Sequence, residues 1–262
     1  MIQSVFSDVA WSVWEPLIEE ARPKGKTPPK NLRRTISAIF WRHQNGAKWR
    51  ALPSEFGPWW IAAQLFIRWS KLGVWQRLFE KVRGADPELG MVFLDGTTIR
   101  AHHKAAGAAK KGGYRERRRD REALGRSRGG FGTKVCVAAD GHGKALSFTL
   151  SPGQAHELPS AYALLDDLPH PPTYVVCDRG YASHKFREYL WDRGSRPVIP
   201  PRKNDPEVAC PRWAYRHRHL VENFWARLKE WRAVATRYEK TAASFLSVIA
   251  DFSHLRQFRV IL

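Results

Sequence analysis

Apolar residues near the start of the chain recur at helical spacing. Val9, Val13, Trp14, Leu17 and Ile18 share one side of a helix that Ser7 or Asp8 can cap and that runs to about Ala21. The Pro-rich, basic stretch 22–30 ends it. A second helix is expected from about Asn31 to Asn45, with Leu32, Ile36, Ile39 and Phe40 on one side, Arg33, Arg34 and Arg42 elsewhere, and Gly46 as its stop. After Trp49-Arg50-Ala51-Leu52-Pro53, a third helix begins near Pro58 and carries Trp60, Leu65, Phe66 and Trp69 to about Leu72, and a short fourth follows Gly73. Such a bundle, with its Arg and Lys outside, reads either as a helix-turn-helix reader of DNA or as a structural or oligomerising bundle. On the first reading Arg33, Arg34 and Arg50 are candidate DNA contacts. The many Trp residues suit a core better than base-stacking platforms.

Around 84–90 the periodicity changes, which predicts two domains, 1–86 and 87–262. Strand-like runs follow at about 91–98, 133–139, 144–150, 173–177 and 196–199, with helix-like segments at about 157–167 and 183–193. Asp140-Gly141-His142-Gly143 has hairpin-turn chemistry. The order describes a mixed sheet flanked by helices, an α/β arrangement that suits an RNase H-like core. Between the first two strands, 102–132 is rich in Lys, Arg and Gly, with Arg118, Arg119, Arg126 and Arg128 among its cations. This run is either a solvated loop or a tether that holds a DNA backbone, and without DNA it is expected to be disordered.

Charge narrows the classes of partner. Lys and Arg number 44 against 25 Asp and Glu, giving a net charge of +19, which concentrates DNA, RNA or an anionic surface near the protein. No apolar run approaches the roughly 20 residues needed to span a bilayer, and residues 1–21 lack a basic leader. Cys136, Cys177 and Cys210 are odd in number and lack zinc-ligand spacing, so a reducing, cytoplasmic setting is expected. No phosphate-binding loop of the ATPase type occurs.

Asp95 and Asp178 each close an apolar run, and Glu222 lies in an amphipathic stretch. Divalent ions such as Mg²⁺ take hard carboxylate oxygens, and two ions about 3.5–4 Å apart can activate the attacking oxygen and stabilise the leaving one in phosphodiester cleavage. The three acids lie 83 and 44 residues apart, so the fold must bring them together. Treated as one α-helix with Glu222 at zero, Tyr215 falls at roughly +20°, Arg218 at about −40° and Lys229 at about −20°, while Leu220, Phe224 and Trp231 gather near 160–200°. That polar stripe is either a nucleic-acid contact or a surface face with Arg218 and Glu222 as an i,i+4 pair.

Tyr215, Arg218, Glu222 and Lys229 match the Y-(2)-R-(3)-E-(6)-K signature, and here the chain resembles the DDE transposases of the IS4/IS5 superfamily, IS5 type. Leu94-Asp95-Gly96-Thr97, residues 125–130, Cys177-Asp178-Arg179-Gly180-Tyr181, and Trp49-Arg50-Ala51-Leu52-Pro53 with Phe56-Gly57-Pro58-Trp59 resemble the same family. The resemblance implies an RNase H-like catalytic domain in which Asp95, Asp178 and Glu222 bind two Mg²⁺ or Mn²⁺ ions. It further implies that Tyr215, Arg218 and Lys229 touch the phosphates of a transposon end and that a homodimer pairs two ends of double-stranded DNA. Arg179, beside Asp178, either touches substrate phosphate or forms a structural ion pair. The short 178-to-222 interval has no room for the β-rich insertion some relatives carry. Two other readings stay open: an RNase H-like nuclease without strand transfer, and a transposase-derived DNA-binding protein that no longer cuts.

Overall fold

The computed structural model describes residues 6–24, 30–83, 89–106, 121–127 and 129–257, the last six by backbone alone. Its contacts divide the chain into two units. One gathers Met1–Gly84, Ala101–Gly112 and Leu228–Leu262, and the other Ala85–Arg100 and Gly113–Arg227.

The first unit is helical, with α1 Asp8–Ala21, α2 Leu32–Asn45, α3 Trp59–Lys71 and α4 Val74–Arg83 close to their expected bounds. Ser7 caps α1 as its sequence position suggests, its Oγ accepting from the Ala10 N–H at 3.1 Å. Phe6, Trp14 and Phe40 are fully buried, their ring centroids 5.2–5.7 Å apart, and Trp231 meets Phe40 edge-on at 5.8 Å. Such tilted and edge-to-face contacts suit the charge distribution of aromatic rings. The helix Ala242–Gln257 packs on α3 and α4, so apolar faces from distant parts of the chain close one core. Two polar pairs lie within it: Arg42 donates to Glu239 at 2.7 Å, and His43 Nδ1 lies 2.8 Å from Asp251 Oδ2.

The second unit is a mixed sheet with helices. Its strands are β1 Met91–Ala101, β2 Gly125–Ser127, β3 Gly130–Asp140, β4 Ala145–Pro152, β5 Tyr174–Cys177 and β6 Arg196–Val198, in the order β2-β3-β1-β5-β6 with β4 also on β3. β3 runs antiparallel to both β1 and β4, whereas β5 is parallel to β1 and to β6. This is the mixed sheet flanked by helices expected from the order of elements. The β3–β4 turn forms where Asp140-Gly141-His142-Gly143 suggests, with Asp140 Oδ1 accepting from the His142 and Lys144 N–H groups at 2.8 Å each.

Alternation along β1 sorts its side chains by face. Val92 and Leu94 join one buried cluster with Ala161 and Leu164 of helix α5 Leu158–Asp166 and with Phe186 and Leu190 of helix α6 His184–Asp192. Asp95, of opposite parity, is turned to helix α7 His219–Glu230, whose Trp225 it meets.

The expectation of a disordered connection over 102–132 needs correction where residues are described. His103–Ala106 form a helical turn, Glu122, Ala123 and Leu124 are buried, and β2 pairs with β3 through Gly125↔Gly132, Arg126↔Phe131 and Ser127↔Gly130. Buried apolar side chains and pairing with the first three residues of β3, beyond the reach of β4, offset the local charge there. Arg118, Arg119 and Arg128 lie outside the described residues. Among the described residues no helix is long and apolar enough to cross a membrane.

Cys136 and Cys177 are buried within the sheet, while Cys210 is half-buried. Burial, with Glu157 nearby, pushes the Cys136 thiol up to about 12, and burial holds Cys177 well above its usual range. Since the thiolate is the reactive form, iodoacetamide at pH 8 is expected to modify Cys210 alone in the native chain and all three cysteines in urea, as read by mass spectrometry. Native labelling of Cys136 or Cys177 at the rate of Cys210 would contradict the buried placement.

Candidate active site

The parallel pairing of β1 and β5 carries the register Leu94↔Cys177. The next residue on each strand is an aspartate, so Asp95 and Asp178 stand side by side at adjoining strand positions. Asp178 is fixed by its own backbone: it caps the 3-10 turn Arg179–Tyr181, and its Oδ1 accepts from the Gly180 N–H at 2.7 Å. A Cβ at position 180 would lie only 2.9 Å from that oxygen, which accounts for glycine in Asp178-Arg179-Gly180.

Arg218 links the strand-borne Asp95 to Glu222 of the helix. Its Nη2 donates to Asp95 Oδ1 at 3.0 Å, and its Nη1 donates to Glu222 Oε1 at 2.7 Å. Trp225 Nε1 donates to the other Asp95 oxygen at 2.9 Å. Burial pulls the Arg218 guanidinium down, but the Asp95 carboxylate and its hydrogen bond, with Tyr215 and Asp178 adding smaller effects, hold it above its usual value. For Asp95 burial prevails over the attraction of Arg218 and raises its carboxyl above the ordinary range.

Asp95 and Glu222 therefore share one guanidinium, on which Asp178 has only a smaller electrostatic effect. Their hard oxygens are the donor type a Mg²⁺ or Mn²⁺ ion takes, and a single cation leaves this set of acids short of positive charge. Among the described residues, no three His, Cys, Asp or Glu groups stand close enough to hold a metal ion in this arrangement. Arg218 occupies the ground between Asp95 and Glu222.

The helical wheel needs revision. Residues 212–231 are not one helix: Arg212–Tyr215 is a short α-turn, Arg216–Arg218 is 3-10, and α7 starts at His219. The tighter 3-10 winding changes the angle per residue, so Tyr215 cannot be placed on the same stripe by counting 100° steps. The buried side is also turned from the expected one, since it includes Val221, Trp225 and Leu228 as well as Phe224, while Leu220 is only half-buried.

The other candidate contacts have varied surroundings. Arg126 and Arg179 are exposed, as are Arg34, Arg50 and Lys229. Arg50 lies over the Trp59 ring at 5.4 Å. Arg33 is engaged, donating to Asp8 at 2.5 Å and to the Phe6 carbonyl at 2.6 Å.

Trp225 and Glu157 were not singled out by sequence reasoning. Trp225 could have been found, because three residues after Glu222 it falls about 60° away on the helix, beside Arg218. Glu157 carries no such signal. It approaches β1 because position 96 is glycine, where a Cβ would lie 2.7 Å from Glu157 Cδ, and it is held by Lys134 at 2.8 Å.

Residues 6–79 match a family model described as "Putative transposase of IS4/5 family", and residues 87–207 and 175–253 match two models described as "Transposase DDE domain". The chain belongs to the IS4/5 family of transposases. A protein of Sinorhizobium fredii named "Uncharacterized protein y4sN" is 35% identical over 34% of this chain and 73% of its own length. The "Putative transposase for insertion sequence element IS402" of Burkholderia cepacia is 30% identical over 42% of this chain and 56% of its own length, so the chain spans little more than half of that relative. The corresponding protein for IS6501 of Brucella ovis is 29% identical over 45% of this chain and 91% of its own length. Asp95 lies within the residues matched by the first of the two DDE-domain models, Glu222 within those matched by the second, and Asp178 within both.

Proposed function

We propose that this family member cuts double-stranded DNA at the terminal inverted repeats of its insertion sequence and joins the cut ends to target DNA. The observation that carries this reading is that Arg218 joins Asp95 to Glu222, while Asp178 directly follows the strand that pairs in parallel with the one carrying Asp95. Asp95, Asp178 and Glu222 would hold two Mg²⁺ or Mn²⁺ ions. Such ions, when bound, supply activation of an attacking oxygen and stabilisation of a leaving one.

The chain's own residues position the substrate. Trp225 fixes one Asp95 oxygen and leaves the other directed to Arg218. Arg218, with Tyr215, Arg179 and Lys229, holds backbone phosphates, and a planar guanidinium suits this task because it can donate two parallel hydrogen bonds. Exposed Arg34, Arg50 and Arg126 add sequence-independent attraction to DNA, and the helices of 1–86 hold the inverted repeat. Hydrolysis of one phosphodiester leaves a 3′-hydroxyl at the element end. That hydroxyl attacks a target phosphodiester, one bond forming as one breaks, so no nucleotide hydrolysis is required. Two copies of the chain pair the two ends.

The test is incubation with end-containing DNA and Mg²⁺. Wild-type chain is expected to nick at the end and form joined product, and Asp178→Asn is expected to do neither. Cutting by Asp178→Asn at the wild-type rate would sink the assignment. Cleavage without end preference or joined product would favour a simple nuclease, and binding without cleavage a DNA-binding derivative.

A further inference from the structure

The helical unit contains a second feature that the carboxylate site does not use. A cavity of about 700 Å³ is lined by segments that include Lys48, Trp49, His102–Lys104 and Tyr238–Thr241. Its size lies within the roughly 300–1,000 Å³ typical of ligand sites.

Three rings form a ladder in its wall. His103 and His102 have centroids 3.9 Å apart with their rings tilted by 43°, and His102 stacks on Tyr238 at 4.4 Å with an interplanar angle of 22°. Tyr238 remains 40% exposed. The ladder is built into the backbone: the His102 N–H donates to the Arg237 carbonyl at 2.9 Å, and neighbouring Glu239 is tied to buried Arg42 at 2.7 Å. That same ion pair occupies the acid of the wall. Lys48, Lys104 and Lys240 are exposed and have no ion pair among the described residues.

An open aromatic face framed by three unneutralised lysines matches the two halves of a nucleotide, a flat base and an anionic backbone. Base stacking on an aromatic side chain is sequence-tolerant, since every base has a π-face. A base inside a duplex offers only its edges, so a stacking site needs a base that has left the helix.

We propose that this cavity binds one unpaired nucleotide of a DNA strand, the base extending the His103–His102–Tyr238 ladder and Lys48, Lys104 and Lys240 holding the flanking phosphates. The proposal rests on DNA being the substrate, but it concerns a site distinct from the carboxylates.

The experiment uses the full chain in EDTA, so cleavage plays no part. Fluorescence anisotropy compares a fluorescein-labelled eight-nucleotide oligothymidylate with a blunt duplex. Tyr238→Ala is expected to weaken oligothymidylate binding by roughly tenfold or more, the scale of one lost stacking contact, while duplex binding stays within about twofold and Tyr238→Phe restores the single-strand affinity. The double variant Lys104→Ala/Lys240→Ala should lower the single-strand salt slope by about 1.4, from roughly 0.7 per phosphate contact. This second variant decides the matter if Tyr238→Ala does not fold. Equal loss on both DNA forms, or wild-type single-strand binding and salt slope in these variants, overturns the proposal. A chain that cuts element ends with Mg²⁺ yet gives that result loses only this site, not the transposase reading.

Discussion

Asp95→Asn is expected to lower Mg²⁺-dependent cleavage of element-end DNA by about a thousandfold or more, on the scale seen when a group that organises transition-state charge is removed. The carboxylate has two donors aimed at it, Arg218 Nη2 and Trp225 Nε1, one on each oxygen. Asparagine keeps the shape but supplies one acceptor oxygen and one NH₂, so one donor is left facing another donor. That mismatch adds a stability cost of about 1–3 kcal/mol. Trp225→Phe separates the contributions. It retains most of the buried ring and removes the N–H, so single-turnover cleavage is expected to fall by about 10–100-fold, the usual effect of losing a group that orients a metal ligand. Its melting temperature should move much less than its rate. Cleavage by Asp95→Asn within tenfold of wild type would remove that carboxylate from the chemistry.

Asp251→Ala is expected to destabilise the chain by about 1–3 kcal/mol in urea unfolding, because it leaves the buried His43 ring nitrogen without its partner. Both side chains are fully buried, and they lie 2.8 Å apart. Burial, opposed by Arg42, holds Asp251 well above its ordinary 3.8, and burial together with Arg42 holds His43 well below its ordinary 6.5. The folded pair is thus neutral overall across mid-range pH. Between 3.8 and 6.5 the unfolded pair also has zero net charge, as a histidinium and a carboxylate, so folding moves no proton. Above 6.5 the unfolded histidine loses its proton while the folded pair keeps one, and stability falls as pH rises. Below 3.8 the unfolded pair gains a proton that the folded one refuses, and stability falls as pH drops.

Asp251→Asn removes the carboxyl titration. The wild-type chain is therefore expected to lose stability relative to this variant as pH rises above 6.5. Comparing the two chains cancels the titration of the other groups. A difference that stays constant over that range would show that the pair does not hold its proton in the folded state.

Asp178 was legible because an apolar run that stops at Asp-Arg-Gly marks a buried strand and its limit; the run that stops at Asp95-Gly96 marked a strand but not its end, since β1 continues to Ala101 along β3. α1 was legible in the same way, from a 3.6-residue period beginning just after Ser7. The course of the chain before Glu222 was not. A single helix through Tyr215 satisfies the periodicity, yet residues 216–218 wind as a 3-10 segment, and local propensity does not distinguish these over three residues. The partners of Asp95 were also hidden, since Arg218 and Trp225 lie 123 and 130 residues away and their contact depends on how α7 packs on the sheet.

Sequence by itself determined the kinds of element, the basic charge, the acids and the family motif, all of which depend on residue type and short-range spacing. The tertiary structure decided that Arg218 stands between Asp95 and Glu222, that Trp225 and Glu157 join the site, and that 228–251 complete the core of the N-terminal helices. It also assembled the His102–Tyr238 ladder from segments more than a hundred residues apart. These outcomes depend on strand register and on which apolar faces cover one another, and such long-range pairings are selected by the burial of the whole core rather than by any local pattern.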